Sequence, residues 1–197
     1  MLVATTTSYA NNVQGLVSEK YINLGYTTLN SDTLLNNAHA LSGTYNHPFK
    51  SYMDIMVEAS YSNFKQSSYG VIQETIGSSL LCNAIFYNMS FDINDYILKP
   101  YIGAGIGAGM THVKLHTSTK RTSNLIVDGL LGVEIKLYDK TLTDLKYVAV
   151  STDGKTSHNI SSSVSYWITD TFAMTLNFAR NMTDEISIYG LSTSILI

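Results

Sequence analysis

The run with the strongest suggestion of chemistry is Tyr101-Ile-Gly-Ala-Gly-Ile-Gly-Ala-Gly-Met110. Gly103, Gly105 and Ala108 fit the loose G-x-G-x-x-A form of a dinucleotide-binding turn, whose glycines let the backbone approach a pyrophosphate. That chemistry needs a strand before the run, a helix after it and an acidic residue about 20 positions on. Here the glycines alternate strictly with aliphatic residues, and no helical pattern follows. The run reads instead as a strand with one bare face, formed by Gly103, Gly105, Gly107 and Gly109. Such a face leaves inward room for bulky neighbours, for which Trp167 and Tyr101 are the candidates.

Five histidines, His39, His47, His112, His116 and His158, are the other candidates for catalysis or metal binding. His112 and His116 are four apart, a spacing that aligns ligands on a helix and not on a strand. Ser161-Ser162-Ser163 supplies hydroxyls, yet no motif brings nucleophile, base and orienting group together. No catalytic residue, metal site or cofactor is therefore assigned, and the chain is not read as an enzyme. The single cysteine, Cys82, excludes an intrachain disulfide and a Cys-rich zinc site. Sequons at Asn88, Asn159 and Asn181 are read as incidental, because two fall in or beside expected strands.

Charge is scarce. Asp, Glu, Lys and Arg make up 14% of the 197 residues, against roughly 25% in a typical soluble domain. The net charge of -3 gives no footprint for nucleic acid. A spanning helix needs about 18 consecutive apolar residues, and the best run, Tyr101 to Met110, is too short. Met1-Leu-Val-Ala-Thr-Thr-Thr has neither the basic region nor the apolar core of a secretory leader. The expectation is an exported chain whose leader has been removed.

The elements that would position these residues are strands, because apolar residues recur at every second position over roughly ten residues. Met53, Ile55, Val57, Ala59 and Tyr61 share a face opposite Asp54, Met56, Glu58 and Ser60. Ile102, Ala104, Ile106, Ala108 and Met110 back onto the four glycines. Leu125, Val127, Leu131, Val133 and Ile135 oppose Asp128, Glu134 and Lys136. Phe172, Met174, Leu176 and Phe178 repeat the pattern. Soluble strands average about 5–6 residues, whereas tilted transmembrane strands run about 9–11 with apolar residues outward. Ile55, Val57, Ile102, Ile106, Leu131, Val133 and Leu176 are thus expected to face lipid. Glu58, Asp128, Glu134, Lys136 and Lys146 are expected to form a polar network in the lumen.

Ten such segments are expected, near 15–29, 35–46, 50–64, 74–91, 98–113, 123–138, 143–152, 158–168, 171–181 and 185–197. Asn46-His47-Pro48, Asp92-Ile93-Asn94-Asp95, Tyr138-Asp139-Lys140-Thr141 and Thr169-Asp170 read as tight turns. Lys65 to Tyr69 and His116 to Asn124 read as the longest loops, on the opposite side. Open edges are not tolerated in hydrocarbon, so the sheet must close. The fold class is all-β: a closed up-and-down antiparallel transmembrane barrel of ten strands, with eight as the alternative. Residues 1–14 are expected as an N-terminal periplasmic segment and 15–197 as the barrel. Tyr26, Tyr45, Phe49, Tyr52, Phe64, Tyr87, Tyr96, Tyr101, Tyr138 and Tyr147 lie near segment ends, where interfacial girdles form. Ten strands fall between filled eight-strand barrels and open porins, so a filled or very narrow lumen is expected.

The stretch Leu98-Lys-Pro-Tyr-Ile-Gly-Ala-Gly-Ile-Gly-Ala-Gly109 resembles the Pro-Tyr-x-Gly-x-Gly-x-Gly strand of small outer-membrane barrels. These are the opacity-protein, neisserial surface protein A and rickettsial-type relatives of the outer-membrane protein A barrel. Asn83-Ala-Ile-Phe-Tyr-Asn88, Val57-Glu-Ala-Ser-Tyr61 and Asp144-Leu-Lys-Tyr147 resemble other strands of that group. Residues 171–197 add a hairpin beyond its eight strands. The resemblance implies a surface antigen or adhesin in the bacterial outer membrane, with the lipid bilayer as partner and host-surface molecules met through loops. It implies no catalytic residue, and a monomer is expected. The competing readings are a narrow ion or small-solute channel, motivated by the inward charges, and a soluble lipocalin-like ligand-binding barrel.

Overall fold

Two-residue alternation fixes which side chains share a face, and closing the sheet decides which face is inside. The computed structural model describes residues 18–30, 38–68, 71–87, 89–93, 96–115, 118–137 and 140–197. Among them every regular element is a strand: β1 (Tyr21–Asn30), β2 (Ala38–Lys50), β3 (Met53–Ser68), β4 (Val71–Phe86), β5 (Phe91–Ile93), β6 (Tyr96–Leu115), β7 (Ser118–Leu137), β8 (Thr141–Thr152), β9 (Lys155–Trp167), β10 (Phe172–Asn181) and β11 (Ile186–Leu196). Apart from β5, each strand pairs antiparallel with its neighbours in the chain, β4 pairs β6, and β1 pairs β11. The result is a closed up-and-down barrel of ten strands. β5 is an eleventh strand of three residues that adds to the start of β6, below the end of β4.

Tyr21 pairs with Leu196, and the Ile197 N–H donates to the Lys20 carbonyl at 3.1 Å. Both ends of the described chain therefore meet at one rim, called the lower rim here. The expected 1–14 segment lies outside the described residues, as do His116, Asn88, Asn94, Asp95, Tyr138 and Asp139.

Two sequence expectations are corrected. Residues 65–68 and 118–124, expected in long loops, are strand, because β3 and β7 extend through them. Their Ser, Thr, Lys and Arg content is polar on both faces and mimics a loop, but each strand is paired across its hairpin. Asn46-His47-Pro48, expected as a turn, lies in β2, and the chain turns at Ser51-Tyr52. Pro48 is tolerated there because the β2–β3 register shifts between Pro48 and Lys50, and irregular ladder positions accept a residue that cannot donate.

The asymmetry of the barrel therefore sits in strand length. β6 and β7 have 20 residues each, and β8 has 12. Above Ile126, which pairs with Thr152, β7 rises without β8 beside it. β8 and β9 instead close at once through Asp153 (φ 51°) and Gly154 (φ 75°). Two successive left-handed residues make a type I′ turn, which matches the natural strand twist and suits Asp-Gly.

The inward phase is buried and the outward phase is exposed. Met56, Ile85 and Ile188 are fully enclosed, while Ile102 (62%) and Leu176 (67%) are largely open. The room over the β6 glycines is used by others than expected. A Cβ on Gly103 would meet Leu130, on Gly105 the oxygens of Asn83 and Asp128, on Gly107 the backbone of Leu80 and Leu81, and on Gly109 Ile126. Trp167 packs near the lower rim with Tyr21 and Leu142, and the Tyr101 ring lies over Gly132. Bulk alone makes Trp167 a candidate for the space over the β6 glycines, but strand register decides which side chain crosses the bare face.

Gly107→Ala should destabilise the folded barrel by about 1–3 kcal/mol, as forced overpacking does. Gly129→Ala, where a Cβ meets nothing within 4 Å, should be neutral or slightly stabilising. Urea unfolding midpoints of the two variants in one detergent compare them, and equal midpoints would refute the close approach at β6.

Candidate functional site: the barrel interior and its rims

Charge enters the interior by alternation along three strands, with a tyrosine from a fourth. β3 carries Asp54 and Glu58 inward, β7 Asp128 and Glu134, β8 Asp144 and Lys146, and β6 contributes Tyr101. All seven are at most 8% exposed. Lys146 is the one buried cation among the described residues and lies in the field of Glu58, Asp144 and Asp128. Asn83 Nδ2 donates to Glu58 Oε1 at 3.3 Å, and the Tyr101 hydroxyl donates to Asp144 Oδ1 at 2.6 Å. Nearer the lower rim, Asp54 accepts from the Tyr87 hydroxyl (2.6 Å), Asn46 Nδ2 (2.9 Å) and the Ser18 N–H (2.8 Å). A buried carboxylate in this setting needs such donors, because desolvation otherwise outweighs what the charge gains.

The remaining wall is chemically different. β1, β9, β10 and β11 turn small neutral polar side chains inward. Asn23 Nδ2 donates to Ser194 Oγ (2.9 Å), Asn177 Nδ2 to Ser192 Oγ (3.0 Å), and Ser165 and Thr175 share a hydroxyl bond of 2.8 Å. Asn159 and Asn181 belong to this buried wall, so their sequons do not face a modifying enzyme. Apolar side chains occupy the rest of the interior. Met56, Leu81, Ile85, Leu130, Val148 and Val150 cluster against the charged wall, and Leu29, Ala40, Phe64 and Ile188 cluster separately.

Of the five residues expected in the lumen network, Glu58, Asp128, Glu134 and Lys146 are buried on the inward phase. Lys136 is exposed. It lines a cavity of about 540 Å³ at the lower rim with Lys99, Glu134, Lys140 and Trp167. Alternation gave Lys136 the right phase, but its height at the end of β7 leaves it in solvent. Asp54, Asn83, Tyr101 and Asp144 were missed as partners. Asp54 and Asp144 carried a usable signal, since each is two residues from an inward neighbour, Met56 and Lys146 respectively. The hydroxyl of Tyr101 reaches Asp144 only through the β6–β7–β8 register.

Outside, Ile102, Ile106, Leu131 and Leu176 are exposed, while Ile55, Val57 and Val133 share that phase half-buried among neighbours. Tyr26, Tyr45, Phe49, Tyr52 and Tyr96 are exposed, but Phe64, Tyr87 and Tyr101, expected in the same girdles, are buried inside. They fall on the inward phase, which position near a segment end does not reveal. Two outward pairs repeat one geometry. The Tyr26 and Tyr147 hydroxyls lie 2.6 Å from Nδ1 of His39 and His158, with the rings near parallel.

A closed ten-strand barrel that encloses charged and amide groups among apolar clusters and turns an apolar face outward defines a transmembrane-type β-barrel. The sequence matches no protein-family description and no curated protein. Among solved structures the chain is similar to the translocator domain of autotransporter NalP from Neisseria meningitidis. They are 8% identical with a TM-score of 0.51, covering 91% of this chain and 89% of that one. It is also similar to Neisserial surface protein A (14% identity, TM-score 0.44, 90% and 97% covered). A third similar structure is Ail, the attachment invasion locus protein of Yersinia pestis (12%, 0.41, 91% and 98%). The likeness to the translocator domain shows the barrel fold.

Lys146→Met should cost about 3–5 kcal/mol of folding stability, because it strands carboxylates in a low dielectric. Adding Glu58→Gln should restore part of that loss, a coupling read from a double-mutant cycle of unfolding midpoints. A neutral Lys146→Met would show that the ammonium does not balance these carboxylates.

Proposed function

We propose that this chain is a bacterial outer-membrane protein that spans the bilayer as a monomeric barrel and serves as a surface antigen or adhesin. One observation carries the reading: the exposed outward face is apolar on strand after strand, while charged and amide groups are enclosed. A water-soluble protein buries its apolar face, so this inversion fits a hydrocarbon surround. The lipocalin alternative requires the opposite polarity and finds no support here.

The tall β3–β4 and β6–β7 hairpins would stand on the outside, with the paired ends of the chain toward the periplasm. They offer the surface through which host molecules would be met. A structural role fits the interior better than transport does, because apolar and hydrogen-bonded side chains pack against each other across the lumen. The inward carboxylates are the one feature that favours a narrow channel. Planar-bilayer recording separates the two, and no discrete conductance steps at high salt are expected.

The membrane reading is tested by refolding from urea into detergent micelles and following the heat-modifiable shift on a gel. Wild-type protein should show the compact, heat-sensitive band. Ile106→Arg, at the middle of the outward face of β6, should lose about 2–4 kcal/mol of stability. An unchanged Ile106→Arg variant, or a wild type that stays monomeric and folded in plain buffer, would overturn the reading.

A further inference from the structure

The outward face of the tall hairpins changes character in successive rows. Strand register places Ala59, Leu80, Ala108 and Leu125 side by side across β3, β4, β6 and β7, followed above by Tyr61, Ser78, Met110 and Ser123. These rows form the upper edge of the apolar belt, with Tyr61, Leu80, Met110 and Leu125 exposed. The next row is Asn63, Ile76, His112 and Arg121, and the one above is Lys65, Glu74, Lys114 and Thr119. Two adjacent rows thus gather three fixed cations and an imidazole around one carboxylate. Lys114 Nζ lies 3.5 Å from Glu74 Oε2, and its side chain remains 51% exposed. Glu74 can neutralise one cation, so the patch keeps a positive excess.

Height decides what such a patch would meet. Two residues of strand rise about 7 Å, or about 5 Å along the barrel axis at a tilt near 40°. Along any one strand the first of these two positions then lies about 5 Å above the last belt position and the second about 10 Å, while a register row itself climbs from strand to strand because the strands tilt. The headgroup zone beyond the hydrocarbon is about 5–8 Å deep on each side. Arg121 therefore sits at headgroup depth, and Lys65 and Lys114 can bend their apolar stems down to the same level. A guanidinium fork matches phosphate oxygens in pairs, and lysines add point charge.

We infer that Lys65, Lys114 and Arg121, with His112, form a docking site for the phosphate of anionic lipid headgroups in the leaflet around the upper rim. The inference rests on the membrane-spanning reading and adds a lipid class to it. The fit is one of charge and depth. The belt seats the acyl chains, and the rows directly above seat the phosphate.

The test uses full-length protein folded in micelles of a zwitterionic detergent, with didecanoyl phosphatidic acid or didecanoyl phosphatidylcholine added. Lipid retained after gel filtration is counted by native mass spectrometry. Wild type should retain phosphatidic acid over phosphatidylcholine, and Lys65→Gln/Lys114→Gln/Arg121→Gln should lose that preference by about tenfold or more, since each basic side chain near an anionic surface contributes about fivefold. Lys20→Gln/Lys50→Gln/Lys140→Gln, near the lower rim, should keep it. An unchanged preference in the upper-rim variant, or an equal loss in the lower-rim variant, would overturn the site. Inositol hexakisphosphate provides the soluble arm. If it binds wild type and displaces phosphatidic acid at equal phosphate concentration, the patch reads free polyanions and the lipid assignment fails. The heat-modifiable band is recorded for every variant. Its absence in wild type defeats the membrane reading, whereas a folded wild type without lipid preference defeats this site alone.

Discussion

The pairing of β1 with β11 is the constraint on which the rest of the molecule depends. Ten residue pairs, from Tyr21↔Leu196 to Asn30↔Ser187, turn a sheet with two open edges into a ring. An open edge is costly in hydrocarbon, where no water can satisfy its N–H and C=O groups. Closure also distinguishes inside from outside, since an open sheet has two equivalent sides. Once the ring shuts, every alternate side chain is committed to a confined interior, and its chemistry must be matched by whatever the neighbouring strands send to the same level.

That matching explains the division of the interior. Where charge is introduced on β3 and β8, tyrosine hydroxyls donate to Asp54 and Asp144, and on β7 Asp128 is enclosed in the field of Lys146. Where strands carry Ser, Thr and Asn, neighbouring side chains pair locally, Asn23 with Ser194, Asn177 with Ser192 and Ser165 with Thr175, while the hydroxyls of Thr27 and Ser163 are enclosed without such a bond. The bare face of β6 is the accommodation between the two demands. Four glycines withdraw their side chains so that Leu81, Leu130, Ile126, Asn83 and Asp128 can cross the space. A barrel of this size has limited interior volume, so a residue's bulk on one strand is set by its absence on another.

Much of this was legible in the residues. Alternation such as Met53-Asp-Ile-Met-Val-Glu-Ala-Ser-Tyr61 has period 2, and a phase read from one end of a strand holds at the other. It gave the fold class, the strand number of the barrel and the inward phase of Glu58, Asp128, Glu134 and Lys146. Strand ends were less legible. Residues 118–124 are polar on both faces and largely open on both, so the period vanishes although the strand continues. Pairing across the barrel left no local trace at all. The bond from Tyr101 to Asp144 joins residues 43 apart, and Phe64, Tyr87 and Tyr101 looked like girdle aromatics because phase relative to a distant strand was needed to place them.

The two-residue turn at Asp153-Gly154 stands close to the barrel end, while β6 and β7 climb eight residue pairs past the level of Ile126 before they turn. The tube is thus cut on a slant. Seen along its axis from the upper end, it has a raised side at β6–β7 and a lowered side at the β8–β9 turn, and these are fixed relative to the strand order. A cylinder of identical chemistry with a level brim would have no such heading. Neighbouring molecules in a crowded membrane would meet this one differently from different compass points, without any loop having to be long.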